Sequence, residues 1–327
     1  MTNLYNVLVV GGTGLVGKKL IEILIENNFP FNRIRYTKSE YSSRSLIIKN
    51  IEIEEVELNN YCFDDIDFCF LCSTSEVSSK WGNVAKAKCK YVIDNSSTFR
   101  MDNNVPLIIP EINFESINSS FISNPNCSTI QSLLVLNEIK KIYKINKIIY
   151  STYQSCSGGG KEELIELSKS YDKVSSIYSE LLCDTCISQI GEINDTRFSL
   201  EELKMINETK KIFNDYTLEV HASCIRVPVS YCHGVFIYLE VDKEVDVNKI
   251  INLIKNSERL EYKKDNEILY FQEAYQKDKV LVGRIKKDLT NPKAFSLFCV
   301  ADNLRVGAAF NAYNIALHLI RRNNEKN

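Results

Sequence analysis

The sequence of 327 residues lacks the main features of membrane and nucleic-acid-binding proteins. It has no run of about 18 apolar residues, so no membrane-spanning helix is predicted. Its 40 Lys and Arg residues nearly balance its 42 Asp and Glu residues, and no charge excess indicates nucleic acid. Residues 1–6 lack the basic region of a signal peptide, and the apolar run that follows is short. We therefore expect a cytoplasmic protein with no membrane or nucleic-acid partner.

Histidine is also scarce, with three residues in the chain. Two Cys-x-x-Cys pairs, Cys69/Cys72 and Cys183/Cys186, have no histidine close by to complete a zinc ligand set. The first pair lies in an apolar run that is typical of a buried strand. We therefore predict core packing and no metal site. The odd total of 11 cysteines is typical of free thiols in a reducing cytosol.

A glycine-rich turn near the N-terminus predicts a dinucleotide site. Residues 6–10 form a short β-branched run, and Gly12, Gly14 and Gly17 then follow the pattern G-x-G-x-x-G before an amphipathic stretch at 18–26. A strand, a glycine turn and a helix in this order let the backbone approach a pyrophosphate. The alternative is a tight strand–helix turn that binds nothing.

The end of the next predicted strand bears on the choice of cofactor. It contains Thr37, Lys38 and Ser39, and a cation beside two hydroxyls suits the 2′-phosphate of NADP. Glu40 comes one residue later and is the type of residue that favours NAD. A polar loop without a ligand is the third alternative. We predict NADP(H).

The periodicity of the chain changes near residue 125. Before this point strands alternate with helices, which predicts an α/β domain with a Rossmann-like, doubly wound parallel sheet. After it, the pattern predicts an α+β domain with a mixed sheet. The predicted strands are 6–10, 34–36, 66–71, 91–94, 147–153, 218–226, 234–240, 280–286 and 295–301. The predicted helices are 18–26, 80–88, one from about 127, 161–168, 200–213, 247–257 and 305–321.

Cys127 lies at a position suited to a nucleophile. It follows Asn-Pro-Asn, and Pro125 keeps Asn124 out of the helical region, so the next helix starts at or after the cysteine. Unpaired amides and the positive end of the dipole at a helix start favour a thiolate. A thiol and a hydride-carrying cofactor together indicate acyl–enzyme oxidoreduction. On this stretch alone, a small buried hydrophobe remains the alternative.

His233 is the strongest candidate for an acid or base, because it follows a proline bend and precedes a glycine. His221 and His318 are predicted to be structural or solvated. Arg226 belongs to the same predicted hairpin, and its planar fork suits a carboxylate. A structural ion pair is the alternative for this arginine.

Seven segments resemble the bacterial aspartate-β-semialdehyde dehydrogenases, and the resemblance runs nearly from end to end. They are residues 11–17, 94–101, 123–131, 151–154, 201–204, 224–229 with His233, and 301–305. The resemblance implies an NADP-binding Rossmann domain at 1–125 that is completed by a C-terminal helix at 304–327. It also implies a catalytic and dimerisation domain at 126–303, and a homodimer or homotetramer.

The resemblance further implies an activity. Cys127 would displace phosphate from β-aspartyl phosphate, and NADPH would reduce the thioester to L-aspartate 4-semialdehyde. This reaction belongs to lysine (through diaminopimelate), threonine and methionine biosynthesis. Gln154 would orient the acyl group, and His233 would be the acid/base.

The implied substrate contacts are Arg226 for the α-carboxylate and Glu201 for the α-ammonium group. Arg100, Lys204 and Asn126 would hold the phosphate. The implied cofactor contacts are Gly11, Gly12, Thr13, Gly14, Leu15, Val16, Thr37, Lys38, Ser39, Ser73, Ser157, Gly158 and Asn303.

Some features depart from the family pattern. Residues 73–75 are Ser-Thr-Ser where glycines are usual, Cys232 and Gly234 flank the histidine where Gly and Ser are common, and residues 169–196 match poorly. Two other functions stay open. An N-acetylglutamyl-phosphate reductase is disfavoured by Glu201, because an acylated amine needs no carboxylate partner. A catalytically inactive homologue is disfavoured by the retained nucleophile and acid/base.

Overall fold

The computed structural model describes residues 4–38, 46–174 and 177–325. These residues form thirteen strands and eight α-helices. The strands are β1 Tyr5–Val10, β2 Phe31–Thr37, β3 Leu46–Ile48, β4 Ile51–Glu55, β5 Phe68–Leu71, β6 Tyr91–Asp94, β7 Phe121–Ser123, β8 Ile145–Gln154, β9 Glu219–Arg226, β10 His233–Val241, β11 Leu260–Tyr262, β12 Val280–Lys287 and β13 Ala294–Ala301. The helices are α1 Leu15–Glu26, α2 Ser75–Lys88, α3 Pro110–Asn113, α4 Cys127–Lys140, α5 Lys161–Tyr171, α6 Leu200–Phe213, α7 Val247–Asn256 and α8 Phe310–Glu325.

The chain divides into two compact units. The first unit contains residues 1–125 and 308–327, and the second contains residues 126–307. The first unit is therefore built from both ends of the polypeptide. None of the helices in the described ranges combines the length and apolarity needed to cross a membrane.

The first unit is built on a seven-stranded sheet in the order β3-β4-β2-β1-β5-β6-β7. All neighbouring strands are parallel except β3 and β4, which pair antiparallel. The chain leaves β1 in one direction to β2 and later returns on its other side with β5. This reversal confirms the predicted doubly wound sheet and creates a crevice at the carboxyl end of β1.

Helices cover both faces of this sheet. In β1, Val7 and Val9 pack on one face with α1 and α8, whereas Leu8 and Val10 pack on the other face with α2. A strand buried on both sides needs apolar residues at successive positions, which explains the uninterrupted apolar run. The C-terminal helix α8 thus packs within the first unit.

The second unit is built on a six-stranded mixed sheet in the order β11-β12-β13-β10-β8-β9. The pairs β8–β9 and β11–β12 are parallel and the other neighbours are antiparallel. This arrangement confirms the predicted mixed sheet. It places the ends of β8 and β9 and the start of β10 side by side, because Gln154 pairs with Arg226 and Gly234 pairs with Tyr153.

Several element boundaries differ from the sequence predictions. The helix expected at 80–88 starts at Ser75, because the Thr74 hydroxyl accepts the Val77 amide and caps it. The strand expected at 66–71 starts at Phe68. The short strands β3, β4, β7 and β11 were not predicted, because three to five residues carry little periodicity.

The last helix also begins differently. Residues Arg305–Ala309 form a π-helical turn before α8. Within this turn a Cβ on Gly307 would lie 2.6 Å from the Cβ of Cys127. The backbone therefore passes the cysteine at a distance that only glycine allows.

Candidate active site

The glycine turn lies at the crevice of the first unit, between the end of β1 and the start of α1. Gly11 has a φ of +80°, which favours glycine, and a Cβ on Gly17 would lie 2.3 Å from the carbonyl oxygen of Gly11. Gly14 is the N-cap of α1, and no side chain caps this helix end. A close-packed turn and a helix start without a side-chain cap fit a pyrophosphate.

A cavity of about 760 Å³ opens at the same edge of the sheet. Among the predicted cofactor residues it is lined by Gly11, Thr37, Lys38 and Ser73. The serine that replaces a glycine at position 73 therefore lies on the wall of the cavity. Ser39, the remaining residue of the predicted 2′-phosphate group, lies outside the described residues.

The cation predicted to hold a 2′-phosphate has a carboxylate partner. The Nζ atom of Lys38 lies 2.8 Å from the Oε1 atom of Glu55. The Oε2 atom of Glu55 accepts a hydrogen bond from the Tyr36 hydroxyl at 3.1 Å. The cavity therefore presents a cation and a carboxylate together.

Cys127 is the first residue of α4 in the second unit, as the proline argument predicted. The Asn126 side chain accepts the amides of Ser128 and Thr129 and caps the helix. The cysteine is partly exposed. Its thiol therefore lies at the positive end of a 14-residue helix, where a thiolate is favoured.

A buried polar cluster lies beside this helix start. The Glu201 carboxylate accepts the Asn126 side-chain amide at 2.7 Å and pairs with Lys204 Nζ at 2.9 Å. Burial raises the pKa of Glu201, but Lys204 and hydrogen bonds from Asn126 and Gln154 outweigh it and bring the pKa to about 2. Glu201 is therefore a permanent anion, and four of the predicted site residues meet here.

Helix α6 carries Glu201 and Lys204, and a local signal fixes its start. Ser199 accepts the Glu202 amide, while the Glu202 carboxylate accepts the Ser199 amide. A serine followed three residues later by a glutamate is the sequence pattern of this capping box, and here it sets the start of the helix predicted at 200–213.

Arg226 is buried at the end of β9. Its Nη1 atom donates to the Ser155 carbonyl at 2.8 Å, and its Nε atom lies 2.7 Å from the Oε2 atom of Glu163. The backbone of Arg226 also exchanges two hydrogen bonds of 2.9 Å with Ile187. Residues from the poorly matching segment 169–196 thus support the strand end that carries the arginine.

His233 is fully buried at the start of β10. Its Nδ1 atom accepts the Ser155 amide at 3.0 Å, so in the neutral ring the proton is on Nε2. Nε2 itself is buried and has no hydrogen-bond partner among the described residues. A Cβ on Gly158 would lie 3.1 Å from both this atom and the Nη1 atom of Arg226. The glycine therefore keeps open the space between the imidazole and the guanidinium.

The neutrality of His233 leads to a prediction about stability. Burial and the nearby Arg226 lower the pKa of His233 to about 3. Below about pH 6.5 the unfolded chain takes up a proton at this residue and the folded protein does not. The free energy of unfolding therefore falls by up to about 1.4 kcal/mol for each pH unit that the pH is lowered. We expect urea unfolding at pH 7, 6 and 5 to show that the parent loses stability more steeply with falling pH than His233→Asn does. The exposed-residue control His221→Asn should keep the parent slope; equal slopes in all three proteins would contradict the prediction.

Of the three predicted cofactor contacts of the second unit, Gly158 lies against the His233 ring, and Ser157 and Asn303 are linked to the ring through Ser155. Ser157 and Asn303 are buried, and the Oδ1 atom of Asn303 lies within 3.2 Å of the hydroxyls of Ser155 and Ser157. The same oxygen accepts the amide of Cys232. Ser157 and Asn303 therefore take part in the network that orients the histidine.

Arg100 belongs to the first unit and is buried. Its Nε atom donates to the carbonyl of Asn124 at 2.9 Å, and Nη2 donates to the carbonyl of Asn95 at 2.8 Å. These bonds hold the arginine against the loop that leads to residue 126.

Sequence reasoning missed three polar residues of the site. They are Ser155, whose amide fixes the histidine, Glu163, which pairs with Arg226, and Glu208, which accepts the Asn126 amide at 2.7 Å. Ser155 directly follows the predicted Gln154, so proximity in sequence was an available signal. The two glutamates lie on amphipathic helices, where the sequence does not distinguish them from solvated residues.

The two Cys-x-x-Cys pairs belong to different units of the chain. All 11 cysteines are free, and no group of three or more His, Cys, Asp or Glu residues in the described ranges could hold a metal ion. Cys69 packs in the core of the first unit, and Cys183 packs beside α5.

Comparisons with known proteins agree with this organisation. Residues 6–120 match the family model "Semialdehyde dehydrogenase, NAD binding domain", and residues 136–306 match "Semialdehyde dehydrogenase, dimerisation domain". The chain is 35% identical to aspartate-semialdehyde dehydrogenase 2 of Vibrio cholerae, over 98% of this chain and 99% of the relative. It is 36% identical to the aspartate-semialdehyde dehydrogenase of Shewanella violacea, with the same coverage.

A solved structure is similar over the same length. The crystal structure of aspartate semialdehyde dehydrogenase II from Vibrio cholerae, complexed with ASA, superposes with a TM-score of 0.93 at 34% identity. The alignment covers 98% of this chain and 99% of that chain. By this similarity in sequence, fold and domain content, the chain belongs to the aspartate-semialdehyde dehydrogenase family.

Proposed function

We propose that the chain catalyses NADPH-dependent reductive dephosphorylation of β-aspartyl phosphate to L-aspartate 4-semialdehyde, in line with the name that its relatives carry, aspartate-semialdehyde dehydrogenase. The observation that carries the proposal is the placement of Cys127 at a helix start, beside the buried Glu201–Lys204 pair. Arg226 and His233 lie in the same unit. A thiol, an anion, two cations and an imidazole are the groups that an amino-acid acyl phosphate requires.

The chemistry starts at Cys127. Its thiolate attacks the acyl carbon, a C–S bond forms, the C–O bond to phosphate breaks, and inorganic phosphate leaves. NADPH, when bound at the glycine turn, supplies the hydride that reduces the resulting thioester. The C–S bond of the tetrahedral adduct then breaks, which releases the aldehyde and restores the thiolate.

His233 would act on the oxygen of the acyl group. Its Nε2–H has no partner in the part of the chain that the structure describes, and it faces the space beside Gly158. A buried neutral donor of this kind stabilises the oxyanion that develops when thiolate or hydride adds to the carbonyl. It would also exchange a proton with the substrate as the acid/base. Gln154, which bonds to Glu201, would orient the acyl group.

The charged residues would select the substrate. We assign the α-carboxylate to Arg226, whose planar fork binds carboxylates in two places, and the α-ammonium group to the ionised Glu201. Lys204, Asn126 and Arg100 would hold the phosphate, because a leaving phosphoryl group needs positive charge and hydrogen-bond donors. Glu163 forms an ion pair with Arg226 in the structure. The substrate α-carboxylate would therefore have to bind the guanidinium beside Glu163.

The cofactor would bind mainly to the first unit. We propose contacts from the turn residues and the cavity wall, which are Gly11, Gly12, Thr13, Gly14, Leu15, Val16, Thr37, Lys38, Ser39 and Ser73. Ser157, Gly158 and Asn303 would contribute from the second unit. In this proposal residues 1–125 with 304–327 form the NADP-binding domain, and residues 126–303 form the catalytic and dimerisation domain.

Two further parts of the proposal concern assembly and location. The match to a dimerisation domain supports an oligomer, and we propose a homodimer or a homotetramer formed through the second unit. The 11 free cysteines suit a reducing compartment, so we propose a cytoplasmic enzyme of lysine, threonine and methionine biosynthesis.

One assay tests the proposed function. We expect phosphate-dependent reduction of NADP with aspartate semialdehyde, followed by absorbance of the reduced nicotinamide. N-acetylglutamate semialdehyde should react far more slowly, because its acylated amine cannot pair with Glu201. A reversed preference would favour the acetylated substrate, and no reaction with either aldehyde despite measurable nucleotide binding would overturn the proposal.

A further inference from the structure

We propose that Glu55 is a specificity-determining residue of the cofactor site. Its carboxylate binds the ribose 2′-hydroxyl of NAD(H) and weakens the preference for NADP(H). The inference rests on the proposed function for the use of a nicotinamide cofactor. It concerns the choice between two cofactors that differ only in a 2′-phosphate.

The position of Glu55 follows from the sheet. Strand β4 pairs in parallel with β2, and Glu55 lies opposite Tyr36 in this register. In NAD-selective sites an acidic residue at the end of the second strand binds the ribose hydroxyl. Here β2 ends at Thr37 and is followed by Lys38, and the carboxylate is supplied at the same height by the neighbouring strand.

Two hydrogen-bonding partners hold the Glu55 carboxylate in place. The buried Tyr36 donates its hydroxyl to the Oε2 atom at 3.1 Å, and the same hydroxyl accepts the amide of Leu46 at 3.1 Å. The Oε1 atom pairs with Lys38 at 2.8 Å. The hydrogen bonds from Lys38 and Tyr36 lower the pKa of Glu55, so the carboxylate is charged at neutral pH. A fixed anion with spare lone pairs is suited to accept a hydroxyl.

The charges of the cavity oppose a 2′-phosphate. Within the described ranges, five charged residues line it, two of them basic and three acidic: Lys38, Lys80, Glu55, Glu57 and Glu76. The one lysine at the end of β2 is already neutralised by Glu55. A phosphate that reaches Lys38 must therefore approach Glu55, and like charges at this distance repel each other. The same carboxylate is favourable for a neutral hydroxyl.

Binding measurements test the inference independently of catalysis. We would titrate the full-length protein with NADPH and NADH and follow nicotinamide fluorescence or heat. The parent should bind the two cofactors within about tenfold of each other. Glu55→Gln should strengthen NADPH binding by about 3- to 10-fold and weaken NADH binding, since a charge interaction at a partly exposed site is modest. Lys38→Ala should weaken NADPH binding and leave NADH binding nearly unchanged.

Glu57→Gln is the matched control, because Glu57 is an exposed glutamate that lines the same cavity. It removes the same charge without removing the fixed carboxylate, so the ratio of the two affinities should change little. An equal change of the ratio in Glu57→Gln and Glu55→Gln would overturn the proposal. So would a parent preference for NADPH above about 1,000-fold, or parallel changes for both cofactors in Glu55→Gln.

The two proposals fail in different ways. If aspartate semialdehyde is not oxidised with either cofactor but the binding ratio shifts as expected, the proposed function fails and the role of Glu55 stands. If the aldehyde is oxidised and the ratio does not shift, the role of Glu55 fails alone. Absence of nucleotide binding would overturn the inference about Glu55.

Discussion

Cys127→Ser is expected to lower kcat by about 10⁴-fold or more. The residue that forms the covalent intermediate and the other groups of the site depend on one another, so its loss removes most of their joint effect. Serine keeps the shape of the side chain and the cap of α4. It replaces a thiol, which ionises near pH 8.5 or so in model peptides, by a hydroxyl that does not ionise at neutral pH. The measurement is phosphate-dependent reduction of NADP in the steady state and over a single turnover.

The control for this prediction is Cys186→Ser, since Cys186 is exposed and lies outside the proposed site. It should retain the parent kcat. Nucleotide affinity should be unchanged in both variants, because the glycine turn belongs to the other unit. Turnover by Cys127→Ser within tenfold of the parent would exclude Cys127 as the nucleophile.

Arg226→Lys is expected to lower kcat/KM by a factor between about 30 and 5,000, which corresponds to about 2–5 kcal/mol for the loss of a buried, hydrogen-bonded charge contact. Lysine keeps the positive charge that Glu163 requires. It cannot bond to Ser155, Glu163 and a substrate carboxylate at once, because it lacks the planar fork. The loss should be similar for aspartate semialdehyde and for succinate semialdehyde, which shares the carboxylate and lacks the ammonium group.

Two controls separate recognition from folding in this variant. Arg284→Lys changes an exposed arginine on β12 and should have parent kinetics. Urea unfolding of Arg226→Lys reports damage to the Arg226–Glu163 pair, since breaking a buried pair costs about 3–5 kcal/mol. If stability falls while kcat/KM per folded molecule is unchanged, the arginine has only a structural role.

The sequence predicted those features that depend on neighbouring residues. The start of α4 at Cys127 follows from Pro125 and Asn126, and the start of α6 follows from Ser199 and Glu202. The doubly wound sheet follows from the alternation of apolar runs and amphipathic stretches. These signals are local, because dihedral preferences and capping bonds reach only a few residues along the chain.

Pairings between distant residues could not be predicted in this way. Glu163 meets Arg226 across 63 positions, and Glu55 meets Lys38 only because β4 pairs with β2. The order of the six strands in the second unit is likewise set by packing of the whole sheet. Much of the predicted site came from resemblance to a family and not from the residues themselves.

The pKa values of buried residues also depend on tertiary structure. A histidine beside a glycine gives no hint that its Nδ1 atom accepts a backbone amide, or that its pKa falls to about 3. Desolvation requires the surrounding strands to be in place. The tautomer and the orientation of the His233 ring are therefore properties of the fold.

The division of the first unit between both ends of the chain has a consequence for synthesis on the ribosome. The core of this unit includes Ala309 from the π-helical turn and Ala312, Ile315, Ala316 and Leu319 from α8, all of which are made after residue 307. The continuous second unit, residues 126–307, is complete before α8 is made. The sheet of the first unit therefore lacks the part of its cover that α8 provides while the second unit is being made, and the second unit can fold first.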